Sequence, residues 1–212
     1  MENDAILQNL FSHYPELKPC EDAILTAFGI LAECYDHGGV LYTCGNGGSC
    51  ADAAHIVGEL MKGFLKKRAL SDEEKTRLSA YGEKGDYLAC NLQGAIPAVS
   101  LVNSVGLGTA FANDVAPELV FAQQIYGLGK SHDALIAIST SGNSKNVIYA
   151  ILAAKAKGVT VIGLTGQGGG EMASLCDIVI KAPSNSTPEI QEYHLPIYHY
   201  LCQFVEKENF AE

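Results

Sequence analysis

The sequence is poor in charged residues, and in basic ones above all. Charged residues make up 18% of the 212 positions and hydrophobic ones 48%, which excludes a disordered chain and supplies the core of one large domain. The sequence has 14 Lys and Arg residues and 24 Asp and Glu residues, which gives a net charge of -10. Such a chain repels nucleic acid unless it has a basic patch, and the only basic cluster is short (Lys62, Lys66, Lys67 and Arg68). We therefore expect no nucleic-acid partner.

Signals for a membrane and for secretion are also missing. No apolar stretch reaches the length of a membrane span, and the acidic N-terminus (residues 1–4) lacks an apolar signal core. The seven cysteines are odd in number and form no CxxC pair, which favours reduced, mostly buried thiols over a disulfide framework. We expect a cytoplasmic protein with no membrane partner.

What the sequence does contain is a repeated order of short apolar run, glycine or hydroxyl turn, and helical pattern. The apolar runs lie at 40–44, 134–138, 159–164 and 177–182, and the helical patterns at 21–36, 50–64, 145–157 and 187–208. This alternation is typical of a parallel sheet with helices on both faces. We predict an α/β fold, a three-layer sandwich around a mostly parallel sheet, similar to flavodoxin.

One domain is expected over residues 1–212, with two additions to the sheet. Residues 1–38 are interpreted as an N-terminal helical extension that serves oligomerisation. The segment 65–94 is charged and irregular, and its Ser71-Asp72-Glu73-Glu74 capping box predicts a small surface helix. We interpret this segment as a surface elaboration without chemistry of its own.

Two of the strand-to-helix loops carry residues suited to an anion. In 45–49 (Gly-Asn-Gly-Gly-Ser), glycines let backbone N–H groups approach a ligand at the positive end of a helix. In 139–144 (Ser-Thr-Ser-Gly-Asn-Ser), four hydroxyls can bind a phosphate without Lys or Arg. Either loop alone is equally explained as a tight turn with a helix cap, but two at the carboxyl ends of successive strands indicate a ligand site. Neither matches the triphosphate-binding pattern G-x-x-x-x-G-K-[ST].

Four polar side chains stand in otherwise apolar helical patterns. His55 and Glu59 are four residues apart and so share a helix face, where they can bind a metal, join a base to its orienting group, or simply hydrogen-bond each other. On the last helix, His194 fits a core or surface histidine. His199 lies deeper in an apolar run, where it must hydrogen-bond a partner or bind a metal.

Together these residues resemble the sedoheptulose-7-phosphate isomerases of the SIS (sugar isomerase) family. The stretch 44–49, followed by 51–53, His55 and Glu59, is similar to the family's first motif, and 139–147 to its second. The stretch 183–202 is similar to the third, and Asn113-Asp114, after a strand-like 97–102, to a further substrate-contacting pair. The resemblance runs from about residue 21 to residue 208 with the motifs in order.

The resemblance implies a role for each motif residue. It implies substrate contacts from Asn46, Gly47, Gly48, Ser49, Asn113, Asp114 and Gln191, and a phosphate site at Ser139, Thr140, Ser141 and Ser144. It implies one zinc ion per subunit, bound by His55, Glu59, Gln191 and His199, with Glu59 and His199 as the catalytic acid/base pair.

The implied reaction is an aldose–ketose isomerisation. Sedoheptulose 7-phosphate would be converted to D-glycero-D-manno-heptose 7-phosphate through an enediol, for the synthesis of heptose-containing surface glycans. A carboxylate and an imidazole can carry both proton movements near pH 7, and zinc would polarise the carbonyl. The family's habit also implies a homotetramer.

A shared metal places a geometric demand on the last helix. Gln191 and His199 are eight residues apart, or about 12 Å along a straight helix. Zinc bonds are only about 2.0–2.2 Å long. We therefore hypothesise that the site is assembled between chains, with Gln191 or His199 contributed by a neighbour.

Two departures from the family pattern leave alternatives open. Position 189 is Glu where the family usually has Arg, and the segment 65–92 is longer than usual. Both put the exact substrate in doubt, so the isomerase of another phosphosugar is one alternative. A non-catalytic SIS adaptor or phosphosugar sensor is another. The adaptors have lost the metal-binding histidines, and the presence of both here favours the enzyme.

Overall fold

The centre of the molecule is a five-stranded parallel sheet. The computed structural model describes residues 2–210, and the side chains of residues 5–210. The strand order is β2-β1-β3-β4-β5. The strands are β1 (Leu41–Cys44), β2 (Ala98–Ser100), β3 (Ala134–Ile138), β4 (Thr160–Gly166) and β5 (Ile178–Ala182). The four predicted strands are confirmed to within two residues at each end, and the strand-like 97–102 supplies the edge strand β2.

Nine α-helices lie in the described part of the chain. They are α1 (Glu2–His13), α2 (Glu21–Asp36), α3 (Gly48–Met61), α4 (Asp72–Ser79), α5 (Glu83–Asn91), α6 (Val105–Asp114), α7 (Val120–Leu128), α8 (Lys145–Ala156) and α9 (Thr187–Asn209). The helices predicted at 21–36, 50–64, 145–157 and 187–208 correspond to α2, α3, α8 and α9. Helices α5, α6 and α7 were not predicted. Within residues 2–210, no helix combines the length and apolarity needed to cross a membrane.

Successive side chains of the strands pack into two separate cores, one on each face of the sheet, so the fold is a three-layer sandwich. Along β3, Ala134, Ile136 and Ile138 join the core that includes residues of α1, α2, α3 and α9. Leu135 and Ala137 join the opposite core, with residues of α7 and α8. All five side chains are buried because a parallel sheet covered on both faces exposes neither. The predicted α/β architecture is therefore confirmed.

The strand register places the two anion-type loops side by side. Strands β1 and β3 are hydrogen-bonded neighbours, with Thr43 opposite Ile136 and Cys44 opposite Ala137. The chain leaves both strands at the same sheet edge, β1 into loop 45–49 and β3 into loop 139–144. In open α/β sheets this carboxyl edge is where ligands bind.

The segment 65–94 forms a helical pair in which α4 and α5 pack against each other. The predicted capping box is present: Glu74 N donates to Ser71 Oγ at 3.2 Å, and Ser71 N donates to the Glu74 carboxylate at 2.9 Å. An ion pair between Arg68 and Glu206 ties the segment to α9. The Nε–Oε1 distance of this pair is 2.8 Å, and both residues are 1% exposed.

Candidate functional site

A cleft of about 270 Å³ opens at the carboxyl edge of β1 and β3. Three parts of the chain line it: residues 46–49, the second loop through Ile138, Ser139, Thr140 and Ser144, and the first turn of α9 through Thr187 and Gln191. None of the Lys or Arg side chains that the structure describes is among the lining residues. An anion in this cleft would be held by hydroxyls, amides and backbone N–H groups.

The first loop needs its glycines for two reasons. Gly47 has a φ of 56°, in the left-handed region that side chains other than glycine rarely adopt. Gly48 packs against the side chain of Gln191, so that a Cβ at position 48 would lie 2.5 Å from Gln191 Nε2. The glycine therefore allows α9 to bring the Gln191 amide up to the loop.

The second loop gathers its hydroxyls around a left-handed glycine. Gly142 has a φ of 68°. Ser139 Oγ and Ser144 Oγ lie 3.0 Å apart and share a hydrogen bond. The Ser141 hydroxyl instead accepts a hydrogen bond from Asn143 N at 3.2 Å, and Ser141 does not line the cleft.

The two loops are joined by a pair of amide side chains, Asn46 and Asn146, of which only Asn46 was given a role from the sequence. Asn46 Nδ2 donates to Asn146 Oδ1, and Asn146 Nδ2 donates to Asn46 Oδ1, both at 2.8 Å. The pair ties the first loop to the first turn of α8. No sequence pattern indicated this contact, because the two residues are 100 positions apart.

Three helices begin at the cleft. Helix α3 starts at Gly48, α8 at Lys145 and α9 at Thr187, and within the described chain none of the three has a side-chain cap at its N-terminus. The first N–H groups of an α-helix have no partner inside the helix, and they carry a partial positive charge. Together they make the cleft attractive to a phosphate.

A second polar cluster lies further along α3 and α9. His55 Nε2 is 3.0 Å from Glu59 Oε1, and His55 Nδ1 is 2.9 Å from the Tyr198 hydroxyl. Tyr198 donates to Asp52 Oδ1 at 3.3 Å. The His199 ring stands edge-on to His55, with a centroid distance of 5.0 Å. The structure thus brings together both predicted catalytic residues and His55.

Burial sets the chemistry of this cluster. It lowers the pKa of His199, and the neighbouring charge of His55 lowers this pKa further, while Glu59 opposes both effects. His199 is therefore neutral near pH 7. Its Nε2 atom is buried and has no hydrogen-bond partner among the described residues. Burial also raises the pKa of Asp52, against the opposing hydrogen bond from Tyr198.

Some predicted site residues are not brought together within one chain. Gln191 lies at the head of α3 beside Gly48, whereas His199 lies beside His55, two turns further along. Among residues 2–210, no three His, Cys, Asp or Glu side chains are grouped so that they could hold a metal ion. Asn113 and Asp114 lie exposed at the end of α6, where they hydrogen-bond each other, and neither lines the cleft.

Two further residues from the sequence analysis have structural roles. His194 is fully buried, and its Nε2 is 3.3 Å from the Thr165 carbonyl oxygen, so it is a core histidine. Burial lowers the pKa of His194 to about 4. Glu189 accepts a hydrogen bond from Ser184 Oγ at 2.6 Å and does not line the cleft.

Comparison with known proteins places the chain among phosphosugar isomerases. The family model of the SIS domain matches residues 16–79 and 89–166, leaving out nine residues of the α4–α5 segment. The phosphoheptose isomerase of Rhodospirillum rubrum is 39% identical over 202 residues, which covers 95% of this chain and 94% of the relative.

Solved structures agree with this placement. A phosphoheptose isomerase of Francisella tularensis superposes with a TM-score of 0.74 at 28% identity, covering 98% of this chain and 99% of the other. The phosphoheptose isomerase of Neisseria gonorrhoeae superposes with a TM-score of 0.69 at 30% identity, covering 94% of this chain and 98% of the other. The chain belongs to the SIS-domain family and, within it, to the phosphoheptose isomerases.

Proposed function

We propose that the protein isomerises sedoheptulose 7-phosphate to D-glycero-D-manno-heptose 7-phosphate through an enediol, as a step toward heptose-containing glycans. The observation that carries this proposal is that helices α3 and α9 each contribute residues to two places, the cleft and the polar cluster. The heads of α3 and α9 border the anion-binding cleft, and the same two helices carry Glu59 and His199 further along.

The spacing between the cleft and the polar cluster suits a long sugar phosphate. From Gly48 to His55 is seven residues, a rise of about 10 Å along the helix. A phosphate held at the cleft therefore leaves C1 and C2, at the far end of a seven-carbon chain, near the polar cluster. The hydroxyls of Ser139, Thr140 and Ser144 and the helix N-termini are proposed to hold the phosphate.

Glu59 and His199 are suited to the two proton movements of the reaction. We assign Glu59 to the proton that moves between C1 and C2, and His199 to the proton on the substrate oxygens. Glu59 has a carboxylate that is only 14% exposed and that accepts a hydrogen bond from Lys62 at 3.2 Å. His199 is neutral near pH 7, so it can accept and return a proton.

The residues present also fit a zinc ion. Two imidazoles, a carboxylate and an amide oxygen are the nitrogen and oxygen donors that zinc takes, and the buried Nε2 of His199 has no partner among the described residues. His55, Glu59, Gln191 and His199 would hold the ion. Bound zinc would polarise the substrate carbonyl and stabilise the enediolate.

A neighbouring chain is proposed to complete this set. Within one chain Gln191 and His199 lie on an unbroken helix at two separate places. Apolar side chains on and next to α6 also face outward, with Val105 69% and Val115 64% exposed. Covering them between subunits would remove this apolar surface from water. We propose a homotetramer of single-domain subunits, and the seven free thiols suit the reducing cytoplasm.

The experiment is the turnover of sedoheptulose 7-phosphate by Glu59→Gln, with and without added zinc. The substitution keeps the side-chain shape but removes the base, so turnover should vanish while phosphate-dependent substrate binding persists. Glu73→Gln is the matched control, because Glu73 is an exposed partner of Arg77 on α4 and should leave turnover unchanged. Undiminished turnover in Glu59→Gln would exclude the assigned base.

A further inference from the structure

A chain of three close polar contacts runs from the interior to the polar cluster. Asp52 Oδ1 contacts the Tyr198 hydroxyl at 3.3 Å, that hydroxyl contacts His55 Nδ1 at 2.9 Å, and His55 Nε2 contacts Glu59 Oε1 at 3.0 Å. Tyr198 is 1% exposed, and its ring meets the His55 ring edge-on at 5.5 Å. Neither Tyr198 nor Asp52 has a role in the proposed reaction.

The three contacts have only two protons to share when the His55 ring is neutral. An ionised carboxylate only accepts hydrogen bonds, a phenol has one proton, and a neutral imidazole has one proton. Asp52 and Glu59 stand at the two ends as acceptors. One of the three contacts must therefore lack a proton.

The surroundings decide which contact lacks it. The Tyr198 hydroxyl is the single hydrogen-bond donor that the described residues offer Asp52, whose Oδ2 is buried without a partner. Withdrawing that proton would leave the Asp52 carboxylate with no hydrogen bond, which is costly for a buried charge. Glu59 has a second donor in Lys62, so it tolerates the loss better.

We propose that Tyr198 and Asp52 are positioning residues that hold the His55 ring with its proton on Nδ1 and with the Nε2 lone pair directed to Glu59. Tyr198 donates to Asp52 and accepts from His55 Nδ1–H. The Nε2 lone pair and the Glu59 oxygen then face each other as two acceptors, an arrangement that would be stabilised by a cation bound to both atoms. This inference rests on the zinc set of the proposed function, and it adds two residues that act through His55.

The test is Tyr198→Phe, which keeps the buried ring and removes only the hydroxyl. In the wild-type protein without metal, at about pH 8.5, where an ordinary histidine is neutral, nitrogen-15 NMR of the His55 ring should show the proton on Nδ1. In Tyr198→Phe it should move to Nε2, where Glu59 accepts it. The zinc affinity, measured by competition with a chelating dye, should fall about 10–100-fold.

The control is Tyr200→Phe, which removes a hydroxyl from the same helix but outside this chain of contacts. It should leave both the tautomer and the zinc affinity unchanged. A second variant, Asp52→Ala, should lower zinc affinity by a similar factor, and the double variant should lose no more than either single one because the two residues act in series.

The outcomes separate this inference from the proposed function. The same His55 tautomer in wild type and Tyr198→Phe, or equal zinc affinities, would overturn the inference whether or not the protein isomerises a heptose phosphate. Absence of isomerisation by the wild type, with the tautomer shifted in Tyr198→Phe, would overturn the proposed reaction and leave the positioning role standing.

Discussion

The Gln191 amide lies against Gly48 so closely that a methyl group at position 48 would come within 2.5 Å of its Nε2 atom. This contact joins the head of α9 to the first glycine loop. It also fixes Gln191 at the cleft, away from His199 of the same chain.

Gly48→Ala should therefore impair substrate binding without unfolding the protein. The alanine methyl displaces the end of a flexible side chain, so the backbone can stay in place. Loss of one hydrogen bond to a charged ligand costs about 1.5–3 kcal/mol, and the KM should rise about tenfold or more. Steady-state kinetics would check this, with a thermal melt as the control. An unchanged KM would show that Gln191 does not contact the substrate.

Ser144→Ala should weaken phosphate binding more than Ser141→Ala does. The Ser144 hydroxyl lines the cleft beside Ser139, whereas Ser141 is engaged with Asn143 N. Removing one hydrogen bond to a charged group should raise the Ser144→Ala KM about tenfold, with a smaller change in kcat. The matched pair is measured side by side. A larger KM effect in Ser141→Ala would mean that the loop rearranges when substrate binds.

Arg68→Met should destabilise the fold strongly. Arg68 is buried, donates to Glu206 and also donates to the carbonyls of Leu60 and Glu59 at the end of α3. Leaving the Glu206 carboxylate buried and unpaired costs about 3–5 kcal/mol. Arg77→Met is the control, because its ion pair with Glu73 is exposed and contributes at most about 1 kcal/mol. Urea unfolding of both variants measures the difference, and similar losses would contradict the account.

The stability of the wild type should depend on pH through His194. Burial lowers the pKa of this residue in the folded state from 6.5 to about 4, so the unfolded chain binds the proton first as the pH falls. Stability from this group is complete above pH 6.5 and is lost progressively down to about pH 4, by about 3 kcal/mol in all. His194→Gln keeps a hydrogen-bond donor for the Thr165 carbonyl, and the glutamine side chain does not titrate. Urea unfolding at several pH values should show a shallower decline for this variant, and equal slopes would contradict the prediction.

The sheet and the loops were predictable because their signals are local. The run 134–138 is apolar at every position, and β3 occupies those residues because both faces of a parallel strand are covered. Helix α2 ends at Asp36, before the predicted glycine stop, where Gly38 has a φ of 69°. Such patterns need no knowledge of distant residues.

The unpredicted parts depend on contacts between distant residues or on weak patterns. Helix α6 contains Gly106 and Gly108, which weaken the helical signal of its sequence, and none of its residues is buried. The Asn46–Asn146 pair and the Tyr198–Asp52 contact join residues at least 100 positions apart. For the Tyr198–Asp52 contact, the sequence offers one indirect signal, which is that both residues are close to predicted site residues. Asp52 precedes His55 by three residues, and Tyr198 precedes His199 by one.

The most direct measurement is an NMR assay of the purified protein with sedoheptulose 7-phosphate, run in parallel with unphosphorylated sedoheptulose. The account predicts that D-glycero-D-manno-heptose 7-phosphate accumulates until equilibrium from the phosphorylated sugar, and that the unphosphorylated sugar reacts far more slowly because it leaves the cleft empty. Failure to form the aldoheptose phosphate, or equal turnover of the two sugars, would contradict it.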